Sequence, residues 1–106
     1  MTLSDPDFQQ AADAFLKDLV RRLDSFDPDD LEADLSGGVL RIAFPDGRNC
    51  VLNRQAAVQQ IWMAEGATAW HFAAQGGQWV DSKGRGELRA VLTGVLARRL
   101  GRDVQL

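Results

Sequence analysis

The residues of this sequence best suited to chemistry are a run of carboxylates around position 30. Six acidic side chains fall close together there, and they are Asp24, Asp27, Asp29, Asp30, Glu32 and Asp34. Carboxylate oxygens are hard ligands that suit ferric iron, manganese or calcium, while ferrous iron is borderline. The same run could instead dock a basic partner, or only keep the protein soluble. Because no histidine or cysteine lies in the run, we expect several weak, water-rich metal sites rather than one closed cage.

Charge is divided unevenly along the chain. Residues 1–34 hold ten acidic and three basic side chains, whereas residues 35–106 hold five acidic and nine basic ones. The two parts therefore carry net charges of −7 and +4, which add to −3 for the whole chain. Binding to phosphates needs a concentrated basic face, so we do not expect this acidic chain to bind nucleic acid.

Length and composition favour one domain spanning residues 1–106, because 106 residues can bury one core but hardly two. The lone cysteine, Cys50, cannot form an internal disulfide, and a closed zinc site needs several cysteines or histidines. No apolar stretch approaches the roughly 18 residues that span a bilayer, and the start does not read as a signal peptide. We therefore expect a cytoplasmic monomer without membrane contact whose mature chain starts near Met1.

Two segments have the apolar spacing of amphipathic helices. The first has its start at Ser4 or Asp5 and its end before Pro28, which cannot continue a helix. Its apolar positions are Phe8, Ala12, Phe15, Leu16, Leu19 and Leu23. The second covers residues 86–100 and is followed by Gly101, a plausible terminator.

Between these helices the period changes to two, which is typical of strands. Leu31, Ala33 and Leu35 alternate with Glu32 and Asp34, so the two carboxylates are predicted to face outward. Further strands are predicted over residues 39–44, 49–53, 58–64, 69–73 and 78–81, separated by turn residues. The predicted fold class is α+β, a two-layer sandwich with both helices on one face of a five- to six-stranded antiparallel sheet.

The other face of this sheet must meet water, and it carries a candidate binding patch. Alternation places Ile61 and Met63 on one face and Gln60 and Trp62 on the other. If the first pair is buried, Trp62 is exposed beside Asn53, Gln55 and Gln60, and exposed tryptophans are enriched at binding hot spots. The opposite phase, with Trp62 in the core, is the alternative.

Two further side chains could bear chemistry, but an ordinary structural role is the simpler interpretation of each. Cys50 lies on a predicted strand with no base beside it in sequence. His71 lies between Trp70 and Phe72 and could donate to iron, although a lone histidine is more often structural.

Several ordered segments of the chain resemble one known family. They are Ser36-Gly37-Gly38-Val39-Leu40, Asn53-Arg54-Gln55, Gln60-Ile61-Trp62-Met63, Trp70-His71-Phe72 and Trp79-Val80-Asp81. Together with the helix–sheet–helix order and the acidic first segment, they resemble frataxin, most closely the bacterial CyaY-type branch. The similarity covers nearly the whole chain.

This resemblance implies an iron-binding protein of iron–sulfur cluster assembly that associates with the cysteine desulfurase and the scaffold protein and modulates cluster formation. It also implies that the bound metal is iron, Fe2+ or Fe3+, which the make-up of the acidic run would hold weakly, and no conventional enzyme activity. The family's iron ligands correspond by position to the acidic run described above, and its partner-facing tryptophan corresponds to Trp62. Val20 and Arg21 stand where bacterial members commonly have an acidic pair, so the loop and strand must carry more of the iron site.

Two other function classes remain open. In one, ferrous iron is oxidised along the acidic run and stored as mineral in metal-induced oligomers, although the sequence lacks the Glu and Glu-x-x-His set of dedicated di-iron sites. In the other, the chain is a small adaptor with no metal role.

Overall fold

The computed structural model describes residues 3–106 and consists of two helices that flank six strands. The expected chain start near Met1 lies outside these residues. In chain order the elements are α1 (Asp5–Leu23), β1 (Glu32–Ser36), β2 (Val39–Ala43), β3 (Asn49–Gln55), β4 (Gln60–Glu65), β5 (Thr68–Gln75), β6 (Gln78–Asp81) and α2 (Leu88–Leu100). Within residues 3–106, no helix is both long and apolar enough to cross a bilayer.

α1 begins where the sequence predicts a helix start. Ser4 Oγ accepts a hydrogen bond from the backbone N–H of Asp7 at 3.2 Å, which satisfies one of the free donors of the first turn. Pro6 fits in the same turn, where its missing N–H has no partner to lose. The helix ends at Leu23, ahead of Pro28. Its buried residues form a single stripe, Phe8, Ala12, Leu16, Leu19 and Leu23.

The six strands form one antiparallel sheet in which each strand pairs with the next along the chain, from β1 to β6. The predicted antiparallel sheet is therefore confirmed, with the larger of the two expected strand numbers. β1 is an edge strand, since it pairs only with β2. Its exposed residues include Glu32 and Asp34, which confirms the predicted outward direction of both carboxylates.

One predicted strand boundary is wrong at the start of β4. The segment Ala56–Val58 forms a 3-10 turn, and Gln59 adopts a left-handed conformation with φ of 53°. Gln59 Oε1 accepts a hydrogen bond from the N–H of Leu3 at 3.1 Å, which ties this turn to the start of the chain. The strand consequently begins at Gln60 rather than at Val58.

The other boundaries shift by one or two residues. β1 begins at Glu32 instead of Leu31, β2 ends at Ala43, and β3 and β5 run further than predicted. α2 begins at Leu88 because the side chain of Glu87 caps it, accepting from the N–H of Ala90 at 3.2 Å. Gly101 ends α2 with a left-handed φ of 69°, as expected of a terminating glycine.

Both helices pack on the same face of the sheet, called here the inner face. One contiguous cluster joins the buried stripes of α1 and α2 to inner-face residues of the strands. The strand contributions are Leu40, Ile42, Cys50, Leu52, Ile61, Met63, Trp70, Phe72 and Trp79. The two-layer sandwich expected from the sequence is therefore the observed fold, and the other face of the sheet, called here the outer face, is left uncovered by the helices.

Each helix is joined to the sheet by an ion pair. Arg54 of β3 reaches Asp13 of α1, and its guanidinium lies so close to Gly38 that an added Cβ there would be 2.8 Å from Nε of Arg54. Arg99 of α2 binds Glu65 of β4 at 2.7 Å. The Arg99–Glu65 pair is largely buried, with side chains 16% and 19% exposed, and the Arg54–Asp13 pair is partly exposed. Because burying charge costs desolvation energy that offsets the attraction, we regard both as orienting contacts on a fold held by apolar packing.

Asp81 is the one buried charged or polar residue among residues 3–106, with 3% of its surface exposed. Its carboxylate accepts hydrogen bonds from the Arg85 side chain at 2.8 and 3.1 Å and from the backbone N–H groups of Lys83 and Arg85. The hydrogen bonds from Arg85 lower the pKa of Asp81 from 3.8 to about 2. This carboxylate therefore organises the turn that leads into α2.

We predict that Asp81→Asn lowers the free energy of unfolding by about 2 kcal/mol at neutral pH, because hydrogen bonds to a charged, buried acceptor are lost. Since folding lowers this pKa, the stabilisation is complete above the unfolded value of 3.8 and disappears as the pH falls towards about 2. The gap in unfolding free energy between the unmodified protein and the Asp81→Asn variant, measured by urea unfolding, should narrow over this pH range. Asp103→Asn, at an exposed site, is the control, and a gap independent of pH would contradict the prediction.

The two sheet faces also predict different roles for two tryptophans. Trp70 lies on the inner face and is 7% exposed, whereas Trp62 lies on the outer face and is half-buried. We expect Trp70→Ala to cost about 3–5 kcal/mol of stability, as large core truncations do. Trp62→Ala should cost about 1 kcal/mol, since only part of its indole leaves water on folding. Equal losses in urea unfolding would contradict this assignment of the faces.

Candidate metal and partner-docking surface

The six predicted metal-ligating residues lie on one continuous rim of the molecule, called here the acidic ridge. It begins at the end of α1, passes through the following loop and continues along the edge strand β1. Its members are Asp24, Asp27, Asp29, Asp30, Glu32 and Asp34. All but Asp30 are exposed, and Asp30 is half-buried.

The loop of the ridge is held by its own hydrogen bonds. Asp27 Oδ1 accepts from the backbone N–H of Asp29 at 2.9 Å, and the carbonyl of Asp27 accepts from the N–H of Asp30 at 2.8 Å. Leu31 is buried in the core and anchors the loop immediately before β1. The chain is thereby turned tightly enough to keep successive carboxylates on the surface.

Most of the ridge keeps its negative charge unpaired. Asp30 forms an ion pair with Arg102 at 3.1 Å, and no other ridge residue forms an ion pair within residues 3–106. The ridge is therefore neutralised by arginine at one position only.

The two arginines nearest the ridge in sequence are paired with another residue. Arg21 and Arg22 both bind Asp18, one helical turn earlier, and Arg89 of α2 binds the same carboxylate at 3.0 Å. Hydrogen bonds from Arg22, Arg89 and Arg21 hold the pKa of Asp18 well below its usual range. Asp18 thus occupies both arginines, and neither pairs with Asp24 at the helix end.

The ridge does not converge on a closed metal site. Among residues 3–106, no group of three or more histidine, cysteine, aspartate or glutamate side chains is arranged to hold a metal ion. Asp24 and Glu32 line one shallow depression of about 260 Å³, whereas Asp29 and Asp30 line a second one of about 270 Å³. A hard cation held by one or two carboxylates keeps water at most of its six or more ligand positions.

The second depression also contains an acidic residue that the sequence analysis did not select. Asp46, in the turn between β2 and β3, lines it together with Asp29 and Asp30 and is paired with Arg99 at 3.0 Å. The Pro45-Asp46-Gly47 turn was visible in the sequence. Its position beside the ridge follows only from the sheet register, which brings the β2–β3 turn to the end of the sheet where β1 begins.

The four predicted partner-binding residues are brought together on the outer face. Asn53 and Trp62 are directly opposite each other on β3 and β4, and Gln55 and Gln60 form the neighbouring pair. Gln55 Nε2 donates to Asn53 Oδ1 at 3.3 Å, and Trp62 Nε1 donates to Gln60 Oε1 at 2.7 Å. We call these four residues, with His71, the amide–tryptophan patch.

His71 belongs to this patch because it stacks on Trp62. Their ring centroids are 4.3 Å apart and the planes differ by 14°. His71 lies directly opposite Trp62 in the pairing of β4 with β5, and the stack explains why the exposed-face tryptophan is half-buried. The stack holds the indole in one orientation, which lowers the entropy lost when a partner covers it.

Cys50 is buried in the core and is 0% exposed. Burial raises the pKa of its thiol to about 12, so the thiol stays protonated at neutral pH. A protonated, enclosed thiol is neither a nucleophile nor a metal ligand. Cys50 is therefore a core residue, as its position on a strand predicted.

The sequence of this chain is similar to proteins of one family. The frataxin-like domain family matches residues 1–102. The iron-sulfur cluster assembly protein CyaY of Cupriavidus metallidurans is 39% identical over 72 residues, which cover 68% of this chain and 65% of that protein. The match thus spans less than two thirds of that relative's length.

Solved structures have the same fold. A frataxin from Psychromonas ingrahamii superimposes with a TM-score of 0.88 over 97% of both chains at 22% identity. Trimeric yeast frataxin complexed with ferrous iron superimposes with a TM-score of 0.77 over 87% of both chains at 27% identity. The family match over almost the entire sequence, together with the shared two-layer architecture, establishes that this chain belongs to the frataxin family.

Proposed function

We propose that this chain binds iron weakly along the acidic ridge and regulates iron–sulfur cluster assembly, or donates iron to it, by docking on the cysteine desulfurase and its scaffold protein. In this role it catalyses no reaction itself. The observation that carries the proposal is a rim of carboxylates, all but Asp30 without an ion pair in the described residues, that borders a sheet face carrying the neutral amide–tryptophan patch. The name of the Cupriavidus relative and the ferrous iron bound by yeast frataxin support it.

The geometry of the ridge supports the proposal that iron is bound weakly. Four of the ridge carboxylates line two separate shallow depressions, two in each, so an ion bound there contacts few protein oxygens and retains much of its water. Ferrous iron is a borderline acid, and such a site holds it without strong selectivity. An ion held in this way can be passed on, because few protein–metal bonds must break.

Docking would use two kinds of contact. The exposed charge of the ridge attracts a basic surface and accelerates encounter, an effect that is screened over about 8 Å at physiological ionic strength. The amide–tryptophan patch then supplies a preformed hot spot, since Trp62 is fixed by His71 and Gln60.

The storage alternative makes a different demand on the ridge. Oxidation of ferrous iron with retention of mineral would require iron-dependent oxygen consumption with turnover and growth of the assembly. The trimeric state of the yeast protein is consistent with an oligomer in that role. Oxygen uptake that continues past one equivalent of iron per chain would favour storage over regulation.

We predict that ferrous iron added under anaerobic conditions broadens the backbone NMR signals of residues 24–34 first and leaves those of Asn53 and Trp62 sharp. Asp27→Asn with Asp29→Asn should weaken apparent iron affinity about thirtyfold, because each lost surface carboxylate removes roughly 1 kcal/mol of attraction.

The matched control changes the same charge elsewhere on α1. Asp5 and Asp7 lie in the first turn, at the opposite end of the helix from the ridge. Asp5→Asn with Asp7→Asn should therefore leave iron affinity within about twofold, the scale expected of remote surface substitutions. Broadening centred on His71, or spread evenly over the surface, would contradict an iron site on the ridge.

We also predict that Asp29→Lys with Glu32→Lys weakens binding to the cognate cysteine desulfurase at least about tenfold at low salt, because attraction becomes repulsion. The variant should show a shallower dependence of affinity on salt. Asp5→Lys with Asp7→Lys makes the same charge change at the far end of α1 and should bind as the unmodified protein does. Calorimetric dissociation constants that do not change in the ridge variant would refute this orientation.

A further inference from the structure

Arg41 occupies an unusual position on the outer face. It lies at the centre of β2, is exposed, and has Asp34 of β1 and Val51 of β3 as its cross-strand neighbours. Strand alternation turns it to the same face as Trp62 and Asn53, since Leu40 and Ile42 on either side are buried. Arg41 therefore lies between the β1 part of the acidic ridge and the amide–tryptophan patch.

Arg41 is also the only fully charged side chain on its part of the face. Across the outer positions of β2 to β6, which the structure describes completely, the other side chains are amides, apolar groups and His71. Arg41 forms no ion pair within residues 3–106, although Asp34 lies directly opposite. By contrast, seven other arginines of the chain are paired, and these are Arg21, Arg22, Arg54, Arg85, Arg89, Arg99 and Arg102.

This placement constrains any surface that covers the face. Neighbouring strands are about 4.8 Å apart, so Arg41 lies one strand inside the acidic edge and two strands from Trp62. A purely basic partner surface that satisfied the ridge would be repelled by Arg41, and like charges brought together at an interface cost affinity. A partner surface that matches the whole face has basic groups opposite the ridge and an acidic group opposite Arg41, one strand further in.

We infer that Arg41 binds a carboxylate of the protein that docks on this face, so that the partner surface carries basic, acidic and apolar groups in that order across the sheet. The inference rests on the proposed function and deepens it, because it assigns Arg41 to partner selection. Arginine suits this task, since its planar guanidinium can grip a carboxylate with two parallel hydrogen bonds.

The simpler alternative is that Arg41 only offsets the charge of Asp34. Both side chains are exposed, and exposed ion pairs contribute little. In that case Arg41 would affect docking only through Asp34, and its effect would vanish once Asp34 is neutral. A double-mutant comparison separates the two roles.

The experiment measures binding to the cognate desulfurase–scaffold complex by calorimetry at low salt. Arg41→Glu adds negative charge beside the ridge, so general attraction to a basic partner would tighten binding. Our inference gives the opposite sign: Arg41→Glu should weaken binding more than about tenfold and Arg41→Gln about tenfold, as expected when one partner of a charge pair is removed. Arg41→Lys should retain much of the affinity.

Arg98→Glu is the matched control, because Arg98 is exposed on α2, in the other layer, and has no ion pair in the described part of the chain. It should leave affinity unchanged or slightly raised. The Arg41→Gln loss should persist in an Asp34→Asn background, and thermal melts should confirm that each variant is folded.

The outcomes distinguish this inference from the function on which it rests. Tighter or unchanged binding by Arg41→Glu, or disappearance of the Arg41→Gln effect in the Asp34→Asn background, overturns the inference and leaves ridge docking intact. Absence of binding by the unmodified protein overturns both. Weaker binding by both variants with retention in Arg41→Lys supports the carboxylate contact.

Discussion

The whole surface of this protein depends on the packing of two helices against one face of a single antiparallel sheet. Side chains alternate strictly along each strand, so burying Leu40, Ile42 and Met63 under the helices forces their neighbours to the opposite face. A slip of one residue in β2 or β4 would turn Arg41 or Trp62, respectively, towards the core. The apolar cluster therefore determines the register, and the register determines which chemistry the solvent meets.

The distribution of charge over this molecule depends on which carboxylates the arginines bind. Asp18, Asp81 and Glu65 bind arginines of the helices and of the turn before α2. The Asp81 pair stabilises that turn from a buried position, whereas the pairs of Asp18 with Arg21 and Arg22 are exposed and contribute little stability directly. Their indirect effect is larger, because the bound arginines form no ion pairs with the ridge. An acidic rim persists on a chain whose net charge is only −3. The electrostatic field at this rim therefore depends more on the separation of acidic from basic side chains than on the net charge of the chain.

Much of the architecture could be predicted from the sequence, because burial imposes periodicity. The stripe from Phe8 to Leu23 and the alternation around Glu32 and Asp34 identified both layers and the direction of the carboxylates. The start of β4 was mistaken, since Gln59 leaves the strand through a left-handed turn tied to Leu3, a contact between distant parts of the chain. Local patterns carry no signal for such a contact.

The same limit applied to the candidate site. Trp62 and its amide neighbours were predictable from alternation, and the structure places them together. The stacking of His71, the position of Asp46 beside the ridge and the isolation of Arg41 depend on cross-strand register, which the pattern within one strand does not contain.

The ion pair between Asp30 and Arg102 connects the acidic ridge to the segment after α2. That segment also packs Val104 and Leu106 against the core. Shortening the chain at this end would remove apolar contacts and at the same time release a carboxylate into the ridge. The length of the segment after α2 and the attraction of the acidic ridge for cations are therefore coupled through the Asp30–Arg102 ion pair. A homologue with a different segment after α2 need not carry the same charge on its ridge.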